Sequence, residues 1–309
     1  MRLGFAPSRR AATELIARGF VRVNGRRYRK GATILLGDRV EVADAPAVEG
    51  LAPNPELKVA ILYEDAAVIV ADKPPLMPCH PLRGDERTTV MNAIAAAYPE
   101  TAAIFDKALE GGLVHRLDNG TSGALMIARN REAFAALRED LRAGRVTRHY
   151  RALVAGRLDG TLEIATPIAH HPKNPRKMVV VATADAAARS APAPVASSNA
   201  RYRSAPRPAF TRVEALSYEN GFTLAQVTPR TGNRHQIRIH LASIGHPLAS
   251  DELYGGAPLA GLDAGRLWLH LAELEFDSPA GARVKVSAPL ARDLEDSLVR
   301  LRARFDGGH

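Results

Sequence analysis

The stretch Gly111-Gly112-Leu113-Val114-His115-Arg116-Leu117-Asp118-Asn119-Gly120-Thr121-Ser122-Gly123 places ionisable side chains between glycines. The apolar run at residues 125–128 follows directly and predicts a buried strand. Catalytic groups are often carried on loops next to strands, because the strand fixes the position of a side chain that the loop exposes. Asp118 is therefore a candidate catalytic residue, although the local pattern alone favours a turn in which Asp118 caps a neighbour.

A second polar stretch, at residues 228–241, is rich in hydrogen-bond donors. Its polar side chains include Arg230, Arg234, His235, Gln236, Arg238 and His240. In a strand, Arg238 and His240 would share one face, whereas in a helix Arg234 and Arg238 would lie one turn apart. Either geometry gives a surface suited to phosphates or to a single carboxylate.

No metal site is predicted. His235 and His240 lack the four-residue spacing of helical zinc ligands, and no acidic residue follows them until Asp251. The single cysteine, Cys79, excludes a cysteine-rich zinc site and an internal disulfide framework.

The composition of the 309-residue chain, with 46% hydrophobic and 24% charged residues, is that of an ordinary globular protein. No apolar run approaches the ~20 residues needed to span a bilayer, and the basic N-terminus lacks the apolar core of a secretory signal. We therefore expect a soluble cytoplasmic protein with no membrane partner. Residues 1–45 contain ten Lys/Arg and four Asp/Glu, and so carry +6 of the net charge of +9. Such a basic module is typical of polyanion binding, the alternative being a solubilising surface.

The chain is predicted to have two domains joined by a linker. Residues 1–45 read as a helix, a hairpin with an Asn24-Gly25 turn, and a further strand. Residues 46–57, rich in Pro and Ala, are predicted as the linker, and residues 58–305 as a catalytic domain. A segment at residues 183–208, dominated by Ala, Pro, Ser and Arg, is predicted to be a mobile insertion.

The elements of the catalytic domain are predicted from apolar runs and from helical spacing. Strands are expected at residues 59–63, 67–71, 125–128, 150–154 and 222–227, and helices at 88–98, around 134–141 and at 294–305. The segment Arg148-His149-Tyr150 begins one of these strands and places the Tyr150 hydroxyl beside cationic side chains. A tyrosine in a strand is ordinarily a packing residue.

Several motifs follow one another in a recognisable order. They are Asp72-Lys73-Pro74-Pro75, His80-Pro81, His115-Arg116-Leu117-Asp118 with Thr121-Ser122-Gly123, Arg148-x-Tyr150, Gly232-x-x-His235-Gln236-Ile237-Arg238-x-His240-Leu241, Gly245-His246-Pro247-Leu248 with Asp251 and Tyr254-Gly255, and Leu269-His270 before Phe276. Over roughly residues 58–290 the chain thereby resembles the RluA-type pseudouridine synthase family. Residues 1–45 resemble the alpha-L RNA-binding domain, which is ribosomal-protein-S-four-like and occurs in several branches of that family.

The resemblance implies an α+β pseudouridine synthase fold, with a central mixed, largely antiparallel sheet flanked by helices and loops. It implies that Asp118 is the catalytic aspartate, that Tyr150 packs against the target base, and that Arg238 forms an ion pair with the aspartate. It associates Arg116 with the flipped-out nucleotide. The RNA contacts predicted in all are Arg116, His115, Arg234, His235 and Gln236 in the catalytic domain, and Arg9, Arg10, Arg22, Arg26 and Arg27 in the N-terminal module.

The implied reaction is the isomerisation of uridine to pseudouridine in RNA. It transfers neither electrons nor a group to a second molecule, so no cofactor is expected. Asp118 could attack the base or the anomeric carbon, or act first as a base, and the sequence leaves these routes open. Tyr150 is a candidate for removing the proton from carbon 5, the alternative being that it only stacks on the uracil.

The expected partner is structured RNA, and we expect the protein to be a monomer. Large-subunit ribosomal RNA is favoured as the substrate, with transfer RNA as the alternative. A catalytically silent RNA-binding protein is a rival interpretation, and the joint presence of Asp118, Tyr150 and Arg238 argues against it. A glycoside hydrolase is a weaker rival, because that chemistry normally uses two carboxylates and only Asp118 lies in a suitable loop.

Three departures from the family pattern accompany the resemblance. Asn233 stands where the family usually has an arginine, so one phosphate contact is expected to be missing or to fall to Arg234. Asp277-Ser278-Pro279 replaces the commoner His-Pro, and Leu271 replaces an alanine. The N-terminal module also begins close to Met1, so we expect a shortened first helix or a misassigned start.

Overall fold

The computed structural model describes residues 9–29, 31–43, 50–104, 109–181 and 202–306. The chain divides into two compact units, residues 1–50 and 51–309. Within the described ranges, no helix has both the length and the apolar character needed to cross a membrane.

The first unit is a helix followed by a small sheet. Its elements are α1 (Arg9–Arg18), β1 (Val21–Val23), β2 (Arg26–Arg27) and β3 (Val40–Val42), with sheet order β2-β1-β3. The helix ends at Gly19, whose φ of +83° is a conformation that favours glycine. Asn24 and Gly25 both have positive φ and join β1 to β2, which confirms the predicted Asn-Gly hairpin. The start of the module, where a shortened helix is expected, lies outside the described residues.

The described part of the second unit combines eleven strands, four α-helices and two short 3-10 helices. In chain order its described elements are β4 (Ala60–Glu64), β5 (Val68–Lys73), α2 (Val90–Ala97), a 3-10 helix (Pro99–Ala103), β6 (Ser122–Ala128), α3 (Arg131–Arg142), β7 (Thr147–Ala155), β8 (Thr161–Ile164), β9 (Ile168–His170), β10 (Met178–Val180), β11 (Thr211–Glu219), β12 (Phe222–Pro229), α4 (Gln236–Ser243), a second 3-10 helix (Glu252–Tyr254), β13 (Leu269–Asp277), β14 (Arg283–Ser287) and α5 (Arg292–Asp306).

A mixed sheet forms the centre of the second unit. Its order is β4-β5-β6-β13-β7-β12-β11-β8, with β14 paired to β13, while β9 and β10 form a separate hairpin. Among the described strands, β6 and β13 form the parallel pair, and the other neighbours are antiparallel. This confirms the predicted α+β fold with a mixed, largely antiparallel sheet.

Strand β6 anchors the candidate site. All seven of its residues are buried, because it lies between β5 and β13 and both of its faces are covered. A strand buried on both faces reads as a continuous apolar run rather than as an alternating one, which is why residues 125–128 were recognisable. The loop that carries Asp118 leads directly into Ser122, the first residue of this strand.

The predicted strands and helices are present, and the structure adds several that the sequence analysis missed. The missed strands are β8, β9, β10, β11, β13 and β14. Strand β11 shows why. Its exposed face carries Arg212, Glu214 and Tyr218, so its sequence lacks the continuous run of apolar residues from which the other strands were predicted. The stretch at residues 228–241, left open between strand and helix, ends β12 and then forms α4.

Two predicted boundaries differ from the structure. Leu51 is buried, and the Asn54 amide donates to the Asn92 carbonyl, so the end of the predicted linker packs onto the second unit. Residues 182–201 of the predicted insertion lie outside the described residues. The end of this predicted insertion, at residues 202–208, is hydrogen-bonded to β9. The Arg207 amide donates to the Ile168 carbonyl, and the Ile168 amide donates to the Arg207 carbonyl.

Candidate active site

The loop carrying Asp118 is held at its backbone from several sides. The Lys73 ammonium donates to the Asn119 carbonyl at 3.1 Å and to that of Pro74 at 2.8 Å. Arg266 donates from Nη1 to the Gly120 carbonyl at 2.6 Å, and its other nitrogens bond Asp293 at the start of α5. These bonds fix the loop while the Asp118 side chain keeps 27% of its surface accessible.

Two buried polar groups that sequence reasoning missed, Lys73 and Arg266, therefore support the loop that carries Asp118. Both are fully buried, and burial lowers the pKa of Lys73 to about 8. For Lys73 a signal was present, since it is the central residue of the Asp72-Lys73-Pro74 motif. For Arg266, which lies just before β13, the partners Asp293 and Gly120 are distant in sequence and become visible only in three dimensions.

Arg238 bridges two carboxylates from the first turn of α4. Its Nη1 donates to Asp118 Oδ2 at 3.0 Å, while Nε and Nη2 form a two-pronged bond to Asp251 at 2.7 and 2.8 Å. Burial lowers the pKa of Arg238, but its hydrogen bonds and the two negative charges raise it by more, so the guanidinium stays charged. The predicted Asp118–Arg238 ion pair is thus present in the geometry. Asp251, 1% exposed, is the partner that the sequence analysis did not assign.

His235 lies on the other side of Asp118. It precedes α4 with a φ of +53°, and its Nε2 is 3.8 Å from Asp118 Oδ1. Burial lowers the pKa of His235 to about 4, although the charge of Asp118 opposes that shift, so the ring is neutral at pH 7. The Asp118 carboxylate therefore faces a charged guanidinium at one oxygen and a neutral imidazole near the other.

Tyr150 lies in β7, between β13 and β12 in the middle of the sheet. Its side chain is 7% exposed, and burial raises its pKa to about 12, with the nearby charge of Asp118 adding to the rise. The phenol is consequently protonated at neutral pH.

The residues predicted to contact RNA divide into exposed and buried groups. Arg116 is exposed, and its Nη1 lies 3.3 Å from His80 Nε2. Arg234 is also exposed and donates to the carbonyls of Pro175 and Arg176, which ties the β9–β10 loop to the start of α4.

His115 and Gln236, which are also predicted to contact RNA, are both buried. His115 Nε2 accepts the Met126 amide at 3.2 Å, and burial lowers the pKa of its ring to about 3. The Gln236 side chain bonds Thr231 and the Phe210 carbonyl, among other groups. Each side chain thus forms hydrogen bonds with other groups inside the fold, and its contact with RNA stays a prediction.

The exposed arginines of the first unit are consistent with a polyanion-binding face. Arg22 on β1 and Arg27 on β2 lie directly opposite each other, and both are exposed, as is Arg26. Like charges in directly opposed positions destabilise a sheet, and a bound anion would relieve the repulsion. Arg9 and Arg10 begin α1, but their side chains lie outside what the structure describes.

Of the two histidines considered for a metal, His240 has both ring nitrogens hydrogen-bonded within the protein. His240 Nδ1 bonds Thr211 and its Nε2 bonds the Thr166 carbonyl. Elsewhere in the described residues, His149, Glu273 and Glu275 bring three possible ligand atoms within 4.8 Å of one another. The Lys285 ammonium already lies 2.9 Å from Glu273 and 3.1 Å from Glu275, so an ion-pair network accounts for this cluster.

The departures from the family pattern have local structural roles. Asn233 donates to the Pro208 carbonyl, which ties the loop before α4 to the segment before β11. Ser278 donates to Asp65 at 2.6 Å and closes the loop between β13 and β14 onto the turn before β5.

The comparisons with known proteins agree with this architecture. Residues 67–243 match the family model described as RNA pseudouridylate synthase, and residues 1–40 match the S4 domain. "Ribosomal large subunit pseudouridine synthase D" of Xanthomonas campestris pv. campestris is 32% identical, covering 96% of this chain and 85% of the relative. "Uncharacterized RNA pseudouridine synthase YlyB" of Bacillus subtilis is 34% identical, covering 96% and 90%. The solved structure "Human RNA Pseudouridylate Synthase Domain Containing 1" shares the fold, with a TM-score of 0.59, 21% identity, and coverage of 86% of this chain and 98% of that one.

An RNA-modifying isomerase is the class that this fold and these matches define. The chain belongs to the RNA pseudouridylate synthase family. It converts uridine to pseudouridine in RNA and carries an S4 RNA-binding domain at its N-terminus.

Proposed function

We propose that this enzyme isomerises uridine in large-subunit ribosomal RNA, with Asp118 as its catalytic group. The observation that supports the target is the set of relatives named "Ribosomal large subunit pseudouridine synthase D", which are 30–33% identical over 96–97% of this chain. The observation that supports the catalytic group is Asp118 Oδ2 held at 3.0 Å by Arg238.

The reaction breaks the bond between the sugar and nitrogen 1 of uracil, turns the base, and joins the sugar to carbon 5. The proton on carbon 5 is then lost and nitrogen 1 gains one, so substrate and product are isomers. A carboxylate that is ionised and oriented serves this sequence, because it can act as a nucleophile or as a base. Arg238 supplies the orientation, because Asp251 fixes its Nε and Nη2 and its Nη1 donates to Asp118.

The target uridine must leave its base stack to reach Asp118, at a cost of a few kcal/mol. Arg116 lies two residues before Asp118 and is exposed beside His80, where it could enter the space that the base vacates. The arginines of the S4 domain would hold the RNA through its phosphates, and the affinity would then fall as salt rises.

Pseudouridine mapping tests the target. Ribosomal and transfer RNA from a strain lacking the gene would be treated with carbodiimide and mapped by primer extension, after complementation with the wild type or with Asp118→Asn. We expect a stop in large-subunit ribosomal RNA that the wild type restores and the variant does not. A restored stop in transfer RNA alone would replace the proposed target with the alternative one. Full restoration by Asp118→Asn would overturn the role of Asp118.

A further inference from the structure

Tyr254 connects the β9–β10 hairpin to the active site through a pair of hydrogen bonds. Its hydroxyl accepts the Met178 backbone amide at 2.8 Å and lies 3.0 Å from His235 Nδ1. Its ring lies against the Arg238 guanidinium, whose central carbon is 5.1 Å from the ring centroid, and edge-on to His235. One side chain therefore contacts both residues that flank Asp118.

The donor and acceptor at each atom follow from the chemistry of the partners. A backbone amide can only donate, so the Met178 bond uses a lone pair of the Tyr254 oxygen. The hydroxyl proton is then free to point at His235 Nδ1, the side-chain acceptor that the structure brings within bonding distance of it. A neutral imidazole that accepts at Nδ1 carries its own proton on Nε2.

The position of Asp118 leads independently to the same tautomer. His235 Nε2 is 3.8 Å from Asp118 Oδ1. An N–H at this position is attracted to the carboxylate, whereas an unprotonated nitrogen would direct its lone pair at a negative oxygen. The separation is longer than a hydrogen bond, as is common for catalytic contacts before the substrate binds.

We propose that Tyr254 and His235 are positioning residues, in which the Tyr254 hydroxyl holds His235 as the neutral tautomer protonated on Nε2, so that its N–H faces Asp118 Oδ1. The consequence for the reaction rests on the proposed role of Asp118. Arg238 restrains Oδ2 directly, and His235 orients Oδ1 from a longer distance, so Oδ1 is the less engaged oxygen and the one available to react.

The arrangement also gives a structural role to Asp251 and Tyr254, two of the motif residues quoted in the sequence analysis, which lie in the turn after α4. Asp251 fixes Arg238 and Tyr254 fixes His235, and Asp251 directly precedes the 3-10 helix that ends at Tyr254. A single turn thereby supports both neighbours of the catalytic carboxylate.

The tautomer can be observed without any turnover. The full-length enzyme, labelled with ¹⁵N in its imidazole rings, would be recorded at pH 7 in a long-range ¹H–¹⁵N correlation experiment, and His235 would be identified among the ten histidines by its loss in His235→Gln. We expect the pattern of a neutral ring protonated on Nε2. A ring protonated on Nδ1, or a doubly protonated ring, would overturn the proposal whatever the substrate of the enzyme.

Tyr254→Phe tests the hydroxyl separately, because phenylalanine keeps the ring that packs on Arg238. We expect the His235 signals of this variant to show a mixture of tautomers, and its single-turnover rate on RNA to fall about 10-fold or more with little change in RNA affinity. An unchanged tautomer pattern in Tyr254→Phe would show that the hydroxyl does not set it.

Two replacements of His235 test which nitrogen matters. The amide nitrogen of glutamine reaches the position of Nε2, and that of asparagine reaches the position of Nδ1. We expect His235→Gln to stay within a few-fold of the wild-type rate, and His235→Asn to lose about 10²-fold, the usual effect of removing one preorganised donor. Equal losses in both variants would contradict the proposal. If wild type and variants all lacked activity on every uridine-containing RNA tested, the proposed function would fail while the spectrum still decided the tautomer.

Discussion

At the scale of single residues, the proposed catalytic carboxylate, that of Asp118, is held by partners that are distant in sequence. Asp118 follows a turn pattern, and nothing in its immediate neighbours distinguishes a catalyst from a capping residue. Arg238 and His235 come to it from α4 and from the residue before that helix, and Asp251 and Tyr254 hold them from the next turn. We therefore expect the chemistry to depend on this group of side chains rather than on the aspartate alone.

Replacement of Asp118 by asparagine keeps the shape of the side chain and removes its charge. We expect Asp118→Asn to abolish tritium release from RNA containing 5-tritiated uridine, because neither a nucleophile nor a base remains. RNA binding, measured by filter retention, should stay near the wild-type value. Tritium release at an appreciable fraction of the wild-type rate would rule out Asp118 as the catalytic group.

Replacement of Arg238 by lysine keeps the positive charge but removes the planar guanidinium group, whose three nitrogens each donate to a carboxylate. One ammonium cannot reproduce the two-pronged bond to Asp251 and the bond to Asp118 together, so Asp118 would lose its fixed orientation. We expect kcat to fall about 10²-fold or more while KM for RNA changes little. Arg234→Lys is the matched control, since exposed Arg234 bonds only backbone carbonyls, and it should retain kcat. Similar losses in both variants would contradict the prediction.

At the scale of elements, the parallel pairing of β6 and β13 sets the position of the catalytic loop. Gly123 has a φ of +108° in β6, and a Cβ atom there would lie 2.2 Å from the Leu271 carbonyl oxygen on β13. The strands approach so closely at this point that no side chain fits between them. Ser122, one residue earlier, bonds His270 and Arg266 and continues the contact to the loop.

Gly123→Ala should therefore separate the two strands. We expect it to lower the free energy of unfolding by about 1–3 kcal/mol more than a substitution that meets only an unfavourable φ. Gly281→Ala is the matched control, because Gly281 has a φ of +99° with no other atom within 4 Å of the added Cβ. Urea unfolding of both variants measures the difference, and equal midpoints would show that the close approach carries no cost.

Much of the fold could be predicted from local pattern, and the missing parts have physical causes. Strands β5 and β6 are recognisable because burial on both faces demands continuous apolar residues. Helix α4 was ambiguous because Ile237, Ile239 and Leu241 alternate as in a strand, while the helix buries both Ile237 and Arg238. The β6–β13 pairing and the role of Asp251 were out of reach, because they depend on contacts between distant parts of the chain.

At the scale of the whole molecule, we expect the basic S4 domain and the second unit to have separable tasks. Deletion of residues 1–45 should weaken RNA affinity and reduce its dependence on salt, because the phosphate contacts of that domain are lost. The single-turnover rate at saturating RNA should change less than the affinity does. Titrations at several salt concentrations with both proteins measure the effect, and an unchanged dissociation constant would show that the domain is not the RNA anchor.

The buried histidines of the second unit make its stability depend on pH. Burial lowers the pKa of His115 to about 3 and that of His270 to about 4, both below the unfolded value near 6.5. Their contribution is therefore fully present above pH 6.5 and is lost as the pH falls towards 4, because only the unfolded chain takes up these protons. The free energy of unfolding should fall by at most about 1.4 kcal/mol per pH unit for each ring.

Urea unfolding at pH 7.5, 6.0 and 5.0 measures this slope. The wild type should lose stability steadily below pH 6.5, and His270→Asn should lose less of it over the same interval. Carboxyl groups whose pKa is lowered in the fold, such as Asp65, titrate below this window and leave the comparison undisturbed. Equal stability at pH 7.5 and 5.0 would contradict the prediction.

The bond between Arg266 and the Gly120 carbonyl has a consequence for how the enzyme is made. Arg266 is itself held by Asp293 at the start of α5, so the support of the loop around Asp118 is complete only once α5 has been synthesised. During translation the S4 domain emerges before α5, and we expect it to bind RNA before the loop around Asp118 has this support. We therefore expect a polypeptide released before α5 to bind RNA without modifying it, because the Asp293 that holds Arg266 would be missing.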